Sequence, residues 1–243
     1  MAISVGIHNI NTTTIGTQSY TSPSGSTSQV SGSSFIVVAS TSAGTLATVS
    51  DTVNGSSTGN TWTVPTPTSG TNPIQEVNDT PWLWLFLCTN GAGGVNHEVT
   101  VNAGTAHTVN CVNFIEIKGG ASSNIIDKLA SVYENSAQSS VSCPITLTGS
   151  GELALGFIMN GGHASNTYTP AGGFSSLDTY TTTDVNSLAS CTKTGASGTV
   201  NPNIAVGFSG QDYVAMTIGL LQTSSAGGIP PIAAPFRIAH RWL

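Results

Sequence analysis

Short apolar runs separated by turn-forming residues are the dominant pattern along this chain. Ser33–Ala39, Trp82–Cys88 and Tyr213–Leu221 each have the length of a strand, and each is followed by a polar segment. Strand and turn signals that alternate at this spacing are typical of an all-β sandwich or barrel. Helical periodicity is nearly absent. The other predicted strands are Leu46–Val53, Gly59–Val64, Glu98–Val101, Thr108–Lys118, Ser142–Thr148, Glu152–Met159 and Ile204–Gly207.

Local details of the pattern give more specific predictions. The run from Trp82 to Cys88 is apolar at consecutive positions, which is typical of a central strand buried on both faces. Val53-Asn54-Gly55 is predicted to be a tight turn. Gly149-Ser150-Gly151 is predicted to join the two strands of a hairpin, and Ala103-Gly104 to join two neighbouring strands. Ile125–Tyr133 is predicted to form one short helical turn.

The apolar content of the chain excludes a disordered linker, although Ser, Thr, Gly and Asn fill the segments between strands. Hydrophobic residues make up 38% of the chain, and the mean hydropathy is +0.13. These residues are clustered in runs, for which a solvated linker has no reason. The length suits one large β-sandwich. We therefore predict an antiparallel sandwich at 30–223, an N-terminal arm or first strand at 1–29, and a C-terminal arm at 224–243.

Charged residues are scarce, and their distribution limits the classes of partner. The chain has five basic and eleven acidic residues among 243, whereas about a quarter of an average soluble domain is charged. Only three basic residues precede position 237, so no basic stripe is present to bind nucleic acid. No apolar run approaches the ~20 residues of a membrane helix. The N-terminal residues lack the pattern of a secretory signal, so we expect a soluble protein made in a cytoplasm.

The order of several short motifs is distinctive. In chain order they are SSFIVVA at 33–39, VSDT at 49–52, GNTW at 59–62, WLF at 84–86, GAGG at 91–94, VTV at 99–101, FIEI at 114–117 and GELALG at 151–156. This order, over about residues 30–222, resembles a family of jelly-roll-like β-sandwich modules of tailed-bacteriophage and prophage surface proteins and some bacterial extracellular proteins. The resemblance implies a jelly-roll-like sandwich in a virion surface protein. It carries over no catalytic residues.

Few residues are candidates for a catalytic or metal site. His97-Glu98 could be half of a metal or acid–base site, but no second His follows at i+4, so a solvated strand end is the favoured interpretation. Asp51, Asn54 and Asn60 surround a glycine-rich loop whose oxygens could bind Ca²⁺. Turn-stabilising Asx hydrogen bonds are the favoured interpretation there. Ser209 lacks the spacing of a nucleophile elbow. The sequence therefore predicts no catalytic residue, no metal and no cofactor.

The cysteines are predicted to be buried free thiols. They are too widely spaced for a zinc ribbon, and two of them, Cys88 and Cys111, lie in strongly apolar strands. Disulfides in a particle that matures outside the cell are the alternative. The full set is Cys88, Cys111, Cys143 and Cys191.

Aromatic residues are candidates for stacking on sugars, because an uncharged, hydroxyl-rich rim suits polyol hydrogen bonding. Three tryptophans are predicted to lie in or beside the sheet: Trp62, Trp82 and Trp84. The polar stretch 161–202 has little apolar pattern apart from Phe174 and Leu177, and it is predicted to include an exposed binding loop. The glycan-binding candidates of that loop are Tyr168, Phe174 and Tyr180.

The segment from Gly227 to Leu243 is predicted to be a docking arm. Gly227-Gly228 is a pliable joint, and the prolines that follow hold the chain extended, which reduces the entropy lost on binding. Arg237 and Arg241 can pair with acids on a negatively charged neighbour. A fold-back onto the chain's own sandwich is the alternative. The apolar anchors of the arm are Ile229, Ile232, Phe236, Ile238, Trp242 and Leu243.

Taken together, these features predict a non-enzymatic virion protein of a tailed bacteriophage, located on the head as a decoration or on the tail surface. The predicted partners are other virion proteins of the capsid or tail. A homo-oligomer is also expected, with a trimer favoured over a dimer. A carbohydrate-binding adhesin or receptor-binding module is the alternative function. A polysaccharide-degrading enzyme would need a paired-carboxylate cleft, which the sequence does not reveal.

Overall fold

The computed structural model describes residues 2–15, 17–21, 31–42, 48–76, 81–104, 107–135, 138–161, 166–181, 186–207 and 211–223. In these ranges the chain forms seventeen strands and no helix, and the predicted all-β antiparallel sandwich is confirmed. The strands are β1 Ser4–Ile15, β2 Thr17–Thr21, β3 Ser31–Thr41, β4 Thr48–Val53, β5 Ser56–Ser57, β6 Ile74–Gln75, β7 Trp82–Ala92, β8 His97–Asn102, β9 Val109–Lys118, β10 Ile126–Glu134, β11 Ser140–Val141, β12 Ile145–Gly161, β13 Tyr168–Thr169, β14 Ser175–Tyr180, β15 Asn186–Val200, β16 Ile204–Val206 and β17 Tyr213–Leu220.

Two five-stranded sheets form the centre of the sandwich. The inner N-terminal sheet has the order β1-β9-β3-β7-β6, and the inner C-terminal sheet has the order β10-β17-β12-β15-β14. Their facing side chains form one hydrophobic core, the central core, in which Ile36, Leu85 and Ile115 lie with Leu155 and Phe157. The two halves of the chain are therefore joined by a continuous apolar interface.

A smaller sheet covers the outer face of each inner sheet. The outer N-terminal sheet, β2-β8-β4-β5, contributes Val99 and Val101 to a core shared with Phe35 and Trp84, which we call the outer N-terminal core. The outer C-terminal sheet, β11-β16-β13, contributes Ile204 and Val206 to a core shared with the inner C-terminal sheet, which we call the outer C-terminal core. The described residues thus form four β-layers and three hydrophobic cores.

This layering explains the continuous apolar runs in the sequence. Successive side chains of a strand point to opposite faces of its sheet. In β3, Phe35 and Val37 face the outer N-terminal core, while Ile36 and Val38 face the central core. The same alternation occurs in β7, so the prediction that Trp82–Cys88 is a central strand buried on both faces is confirmed.

Two local predictions in the C-terminal half are wrong. Ile125–Tyr133 is not a helical turn, because 126–134 is strand β10, which pairs with β17 through Leu129 and Ile218. The residues Gly149-Ser150-Gly151 do not close a hairpin. They lie inside the continuous strand β12, whose register against β15 shifts between Thr146 and Ala154. Bulges in a long strand thus replace the expected turn.

Three further expectations are corrected by the pairing pattern. The polar stretch 161–202 contains β13, β14 and the fifteen-residue β15, which pairs with β12 along much of its length. Strands β8 and β9 are not neighbours, because β8 pairs with β2 and β4 in the outer sheet. The predicted strand Gly59–Val64 makes only an isolated bridge, between Thr63 and Leu87.

Other features agree with the sequence pattern. The predicted turn at Asn54-Gly55 is confirmed, with φ of 49° and 76° at the two residues. These positive φ values are what a two-residue hairpin loop requires. Within 1–29, β1 pairs with β9 at the edge of the inner N-terminal sheet. The described part of the chain contains no helix with the length and apolar character needed to span a membrane.

Candidate functional site

The predicted docking residues lie outside the described residues, as do all of 224–243 and also Ser209. The point from which the arm would leave is described. The Thr223 amide donates to the Gly119 carbonyl at 2.9 Å, and the Leu221 amide donates to the Ile125 carbonyl at 2.7 Å. A polar concavity of about 340 Å³ adjoins this point and is lined by Ala121, Ser122, Ser123 and Thr223. The chain is therefore held firmly up to residue 223.

Asp51 forms a compact hydrogen-bonded cluster with two other residues that the sequence singled out, Asn60 and His97, and with Thr58 and Trp62. The Asp51 Oδ2 atom accepts from His97 Nε2 at 2.8 Å and from Asn60 Nδ2 at 2.6 Å. Its Oδ1 atom accepts from Thr58 Oγ1 at 2.7 Å and from Trp62 Nε1 at 3.2 Å. Because a carboxylate only accepts hydrogen bonds, His97 must carry a proton on Nε2. We call these five residues the Asp51 cluster.

The hydrogen bonds of the Asp51 cluster outweigh the effect of burial on Asp51. Burial by itself raises the pKa of the Asp51 carboxyl, but the hydrogen bonds from His97, Thr58, Asn60 and Trp62 leave that pKa below its ordinary value. The carboxylate is therefore ionised at neutral pH. Each of its oxygens accepts two hydrogen bonds, an arrangement that stabilises the loop rather than leaving oxygens for Ca²⁺.

His97 is fully buried, so the interpretation of this residue as part of a solvated strand end is wrong. Its exposed fraction is 0%. Its ring meets Phe35 and Phe114 edge-on, with centroid distances of 4.8 Å and 5.3 Å. A His–Asp pair enclosed in this way has no surface from which to reach a substrate. Its role in the described structure is to join β8 to β4 inside the outer N-terminal core.

The Asp51 cluster fastens a loop to the end of β7. Asn60 Oδ1 accepts from the Ala92 amide, and Asn60 Nδ2 donates to the Ala92 carbonyl, both at 2.8 Å. Asn54, the third residue of the expected Ca²⁺ loop, instead accepts a hydrogen bond from Asn96 at 3.1 Å on the surface. The turn-stabilising interpretation of this loop is thus the one that the geometry supports. Among the described residues, no group of three or more His, Cys, Asp or Glu side chains could hold a metal ion.

The prediction of an exposed aromatic binding loop within 161–202 is wrong. Tyr168 and Phe174 are 8% and 7% exposed and belong to the outer C-terminal core, and Tyr180 is partly buried against the central core. Trp84 is buried and stacks on Phe86, as predicted for a residue in the sheet, and Trp62 and Trp82 pack against the same outer N-terminal core. None of these aromatic side chains forms an exposed platform on which a sugar could stack.

The cysteine prediction is confirmed. The four thiols are free and buried. Cys88 belongs to the outer N-terminal core and Cys111 to the central core, on opposite faces of the same sheet. Burial is the main cause that raises the pKa of Cys88 to about 11 and of Cys111 to about 12. Thiols with such pKa values are inert at neutral pH.

Buried and partly buried acids were the main class of residue that the sequence did not reveal. Glu116 is 0% exposed and accepts hydrogen bonds from the Ile7 amide at 3.0 Å and from Ser33 Oγ at 2.8 Å. Asp178 accepts from Asn113 Nδ2 at 2.8 Å and lies 3.0 Å from His8 Nδ1. For Glu116 a signal did exist, since a lone acid inside a continuous apolar run has no solvent to face. Asp178 had none, because its partners are distant in sequence.

Comparison of the chain with protein-family models, with curated proteins and with solved structures found no match.

Proposed function

We propose that this protein is a non-enzymatic structural protein of a bacteriophage particle, on the head or the tail surface, which attaches to neighbouring subunits through residues 229–243. One contrast carries this proposal. In the described part of the chain, Val95 is the sole large hydrophobic side chain that is exposed, at 44%. The apolar residues of 229–243 are, in contrast, too numerous for a solvated segment.

The layered body suits a structural role. Three cores bury large side chains on both faces of the two inner sheets. Buried polar side chains such as Asp51 are used to fasten loops and strand ends, which makes the body rigid. A rigid, sparsely charged body with one apolar segment resembles an anchor more than a catalyst. The affinity of such an anchor comes from buried apolar surface and from backbone hydrogen bonds.

The distribution of charged residues along the chain favours an acidic partner for the C-terminal segment. Arg237 and Arg241 are the only basic residues beyond Lys193, whereas all eleven acids precede position 213. The segment can therefore pair with acids on a virion protein or on a second copy of this chain. The second possibility gives a homo-oligomer, for which we propose a trimer. Sedimentation equilibrium of the isolated protein should give three times the monomer mass, and a monomer at high concentration would contradict assembly in the free state.

Deletion of residues 229–243 tests the attachment. We expect the truncated protein to lose binding to purified particles, while its β-type circular dichroism and its melting temperature stay close to those of the full chain. A matched variant with Arg237→Ala and Arg241→Ala keeps the apolar anchors, so it should bind more weakly and with less dependence on salt. Loss of the cooperative melt on truncation would contradict the proposal, because the segment would then belong to the sandwich.

A glycan array distinguishes this proposal from a carbohydrate-binding adhesin. An anchoring protein should bind particles and no sugar. Reproducible binding to a defined glycan, retained by the truncated protein, would favour the adhesin, because the binding surface would then lie on the body.

A further inference from the structure

Two acidic side chains from neighbouring parts of the inner C-terminal sheet meet at the irregular part of β12. The Thr148 amide donates to Asp127 Oδ2 at 2.6 Å, and the Thr148 hydroxyl donates to Asp127 Oδ1 at 2.5 Å. The next amide, of Gly149, donates to Glu152 Oε1 at 2.8 Å. The two carboxyl groups are thus bound by adjacent residues, and Asp127 lies close enough to Glu152 to act on it by charge and by a hydrogen bond. We call Asp127 and Glu152 the acid pair.

The second oxygen of Glu152 is in an unusual position for a carboxylate. Glu152 is 1% exposed, and its Oε2 atom is buried without a hydrogen-bond donor. A Cβ atom placed on Gly219 would lie 3.5 Å from this oxygen and 3.3 Å from Ile145 Cδ1, so Oε2 faces an apolar floor. A charged oxygen that is buried against apolar atoms without a donor destabilises the folded state. A protonated oxygen can instead donate a hydrogen bond to a neighbouring carboxylate.

The charges around Glu152 favour its protonated form. Burial raises the pKa of Glu152 most strongly. Asp127 raises it further, both by its charge and by a hydrogen bond, while the Gly149 amide and Lys128 lower it by less. On β15, Lys193 is engaged with the Gly172 carbonyl at 2.7 Å. The part of β17 that pairs with this region, Gly219 and Leu220, carries no charge.

We propose that Glu152 is protonated in the folded state and donates to the Asp127 carboxylate. We call this contact the clasp, and it holds the Thr148–Glu152 part of β12 against β10. When the pH rises and the proton leaves, two adjacent negative charges repel each other and the clasp opens. Gln222 adjoins this place, since its Nε2 atom would lie 3.2 Å from a Cβ on Gly151. The clasp is therefore next to the point where β17 continues into the C-terminal segment.

The sign of the pH dependence follows from linkage. A carboxyl whose pKa is higher in the folded state than in the unfolded state binds its proton more tightly when folded. Its stabilising effect is complete below the ordinary glutamate pKa, about 4.3. The effect is lost as the pH rises through the folded-state pKa. Asp51 acts in the opposite direction, so a comparison of variants is needed to isolate the acid pair.

Urea unfolding of the full chain and of Glu152→Gln, measured from pH 3.5 to pH 8, tests the clasp. The glutamine keeps an oxygen for the Gly149 amide and cannot ionise. We expect the unfolding midpoint of the wild type to fall relative to that of Glu152→Gln as the pH rises. Ser150→Ala, in the same part of β12 and exposed, should follow the wild type. A constant difference between wild type and Glu152→Gln over this range would overturn the proposal.

Carbon-13 NMR titration of the Glu152 side-chain carboxyl tests its protonation directly. Glu152 should titrate above the ordinary glutamate range, and Asp127→Asn should shift that midpoint to lower pH because the neighbouring charge is removed. Asparagine retains an acceptor for the Thr148 amide, so the fold should be kept. A Glu152 midpoint in or below the ordinary range, or one that Asp127→Asn leaves unmoved, would overturn the proposal.

Discussion

At the residue scale, buried acids hold together the irregular parts of the backbone. The β1–β9 register shifts between Val5 and His8, and the β3–β7 register shifts near Ser33. Glu116, on the strand between β1 and β3, accepts from the Ile7 amide and from the Ser33 hydroxyl at these irregularities. A carboxylate with several acceptor sites can satisfy donors that a regular ladder would have paired. The Asp51 cluster serves the loop that follows β5 in the same way.

Asp51→Ala should destabilise the protein by about 3–5 kcal/mol at pH 7, because it leaves His97 and Asn60 without their buried acceptor. The pKa of Asp51 is lowered in the folded state, so its contribution is present above the unfolded-state value and is lost as the pH falls through the folded-state value. The difference between variant and wild type should therefore shrink below about pH 4. Urea unfolding of both proteins at pH 7 and at pH 3 measures this difference in the free energy of unfolding.

Asn54→Ala is the control for this prediction, since Asn54 lies in the adjoining turn and its side chain contacts Asn96 on the surface. Its effect should be about 1–2 kcal/mol, mainly because alanine would have to adopt the φ of 49° at this position. An equal loss of stability in both variants would mean that the turn, and not the Asp51 cluster, determines the stability of this loop.

At the scale of elements, a loop from the N-terminal half covers the free edge of β10. The Thr68 amide donates to the Leu129 carbonyl at 2.7 Å, and the Ser131 amide donates to the Ser69 carbonyl at 3.0 Å. The Ser131 hydroxyl exchanges further hydrogen bonds with the backbone of Thr71. An uncovered edge would be a template for pairing with another chain. The loop therefore both closes this edge and links the two halves of the chain.

Gly70→Ala should disrupt this cover. A Cβ at Gly70 would overlap the side chain and the carbonyl of Ser131, and φ is +82°. Gly55 shares the positive φ, at +76°, but a Cβ placed on it would have no atom within 4 Å. Gly55→Ala should cost about 1–2 kcal/mol from the backbone alone. Gly70→Ala should lower the free energy of unfolding by about 1–3 kcal/mol more than Gly55→Ala does, because of the overlap with Ser131. Equal melting temperatures for the two variants would contradict a tight contact at Ser131.

At the scale of the whole molecule, the two halves of the chain build separate pairs of sheets. Residues 4–118 supply the two N-terminal sheets, and residues 126–220 supply the two C-terminal sheets. The halves meet across the central core. They also meet at the seam between β1 and β14, where His8 contacts Asp178 at 3.0 Å. Because the central core includes side chains from both halves, we expect the halves to unfold together.

The cysteines can report on this cooperativity, because each core contains at least one of them. Thiol alkylation followed by mass spectrometry should leave Cys88 and Cys111 unlabelled under native conditions. In increasing urea without reductant, all four thiols should become labelled at one midpoint. Labelling of Cys143 and Cys191 at a different urea concentration from Cys88 would contradict a single cooperative unit. A disulfide at any of them would contradict free thiols.

The sequence by itself determined the fold class and the most apolar strands. β3, β7 and β17 were predictable because each has a central apolar run that is buried on both faces, a signal that needs no knowledge of neighbours. The turn at Asn54-Gly55 was predictable because few other residues accept positive φ at both positions. The burial of Cys88 and Cys111 followed from the apolar runs in which they lie.

Only the tertiary structure decided how the strands are layered and which polar residues meet. β15 is rich in Ser, Thr and Ala, and it is a strand because β12 and β14 pair with it on either side, which no local pattern records. β10 has the spacing of a helix, and its pairing with β17 overrides that preference. Asp51 and His97 are 46 positions apart, and Asp127 and Glu152 are in different strands. Such contacts depend on the register between strands that are distant in sequence, and local periodicity does not encode that register.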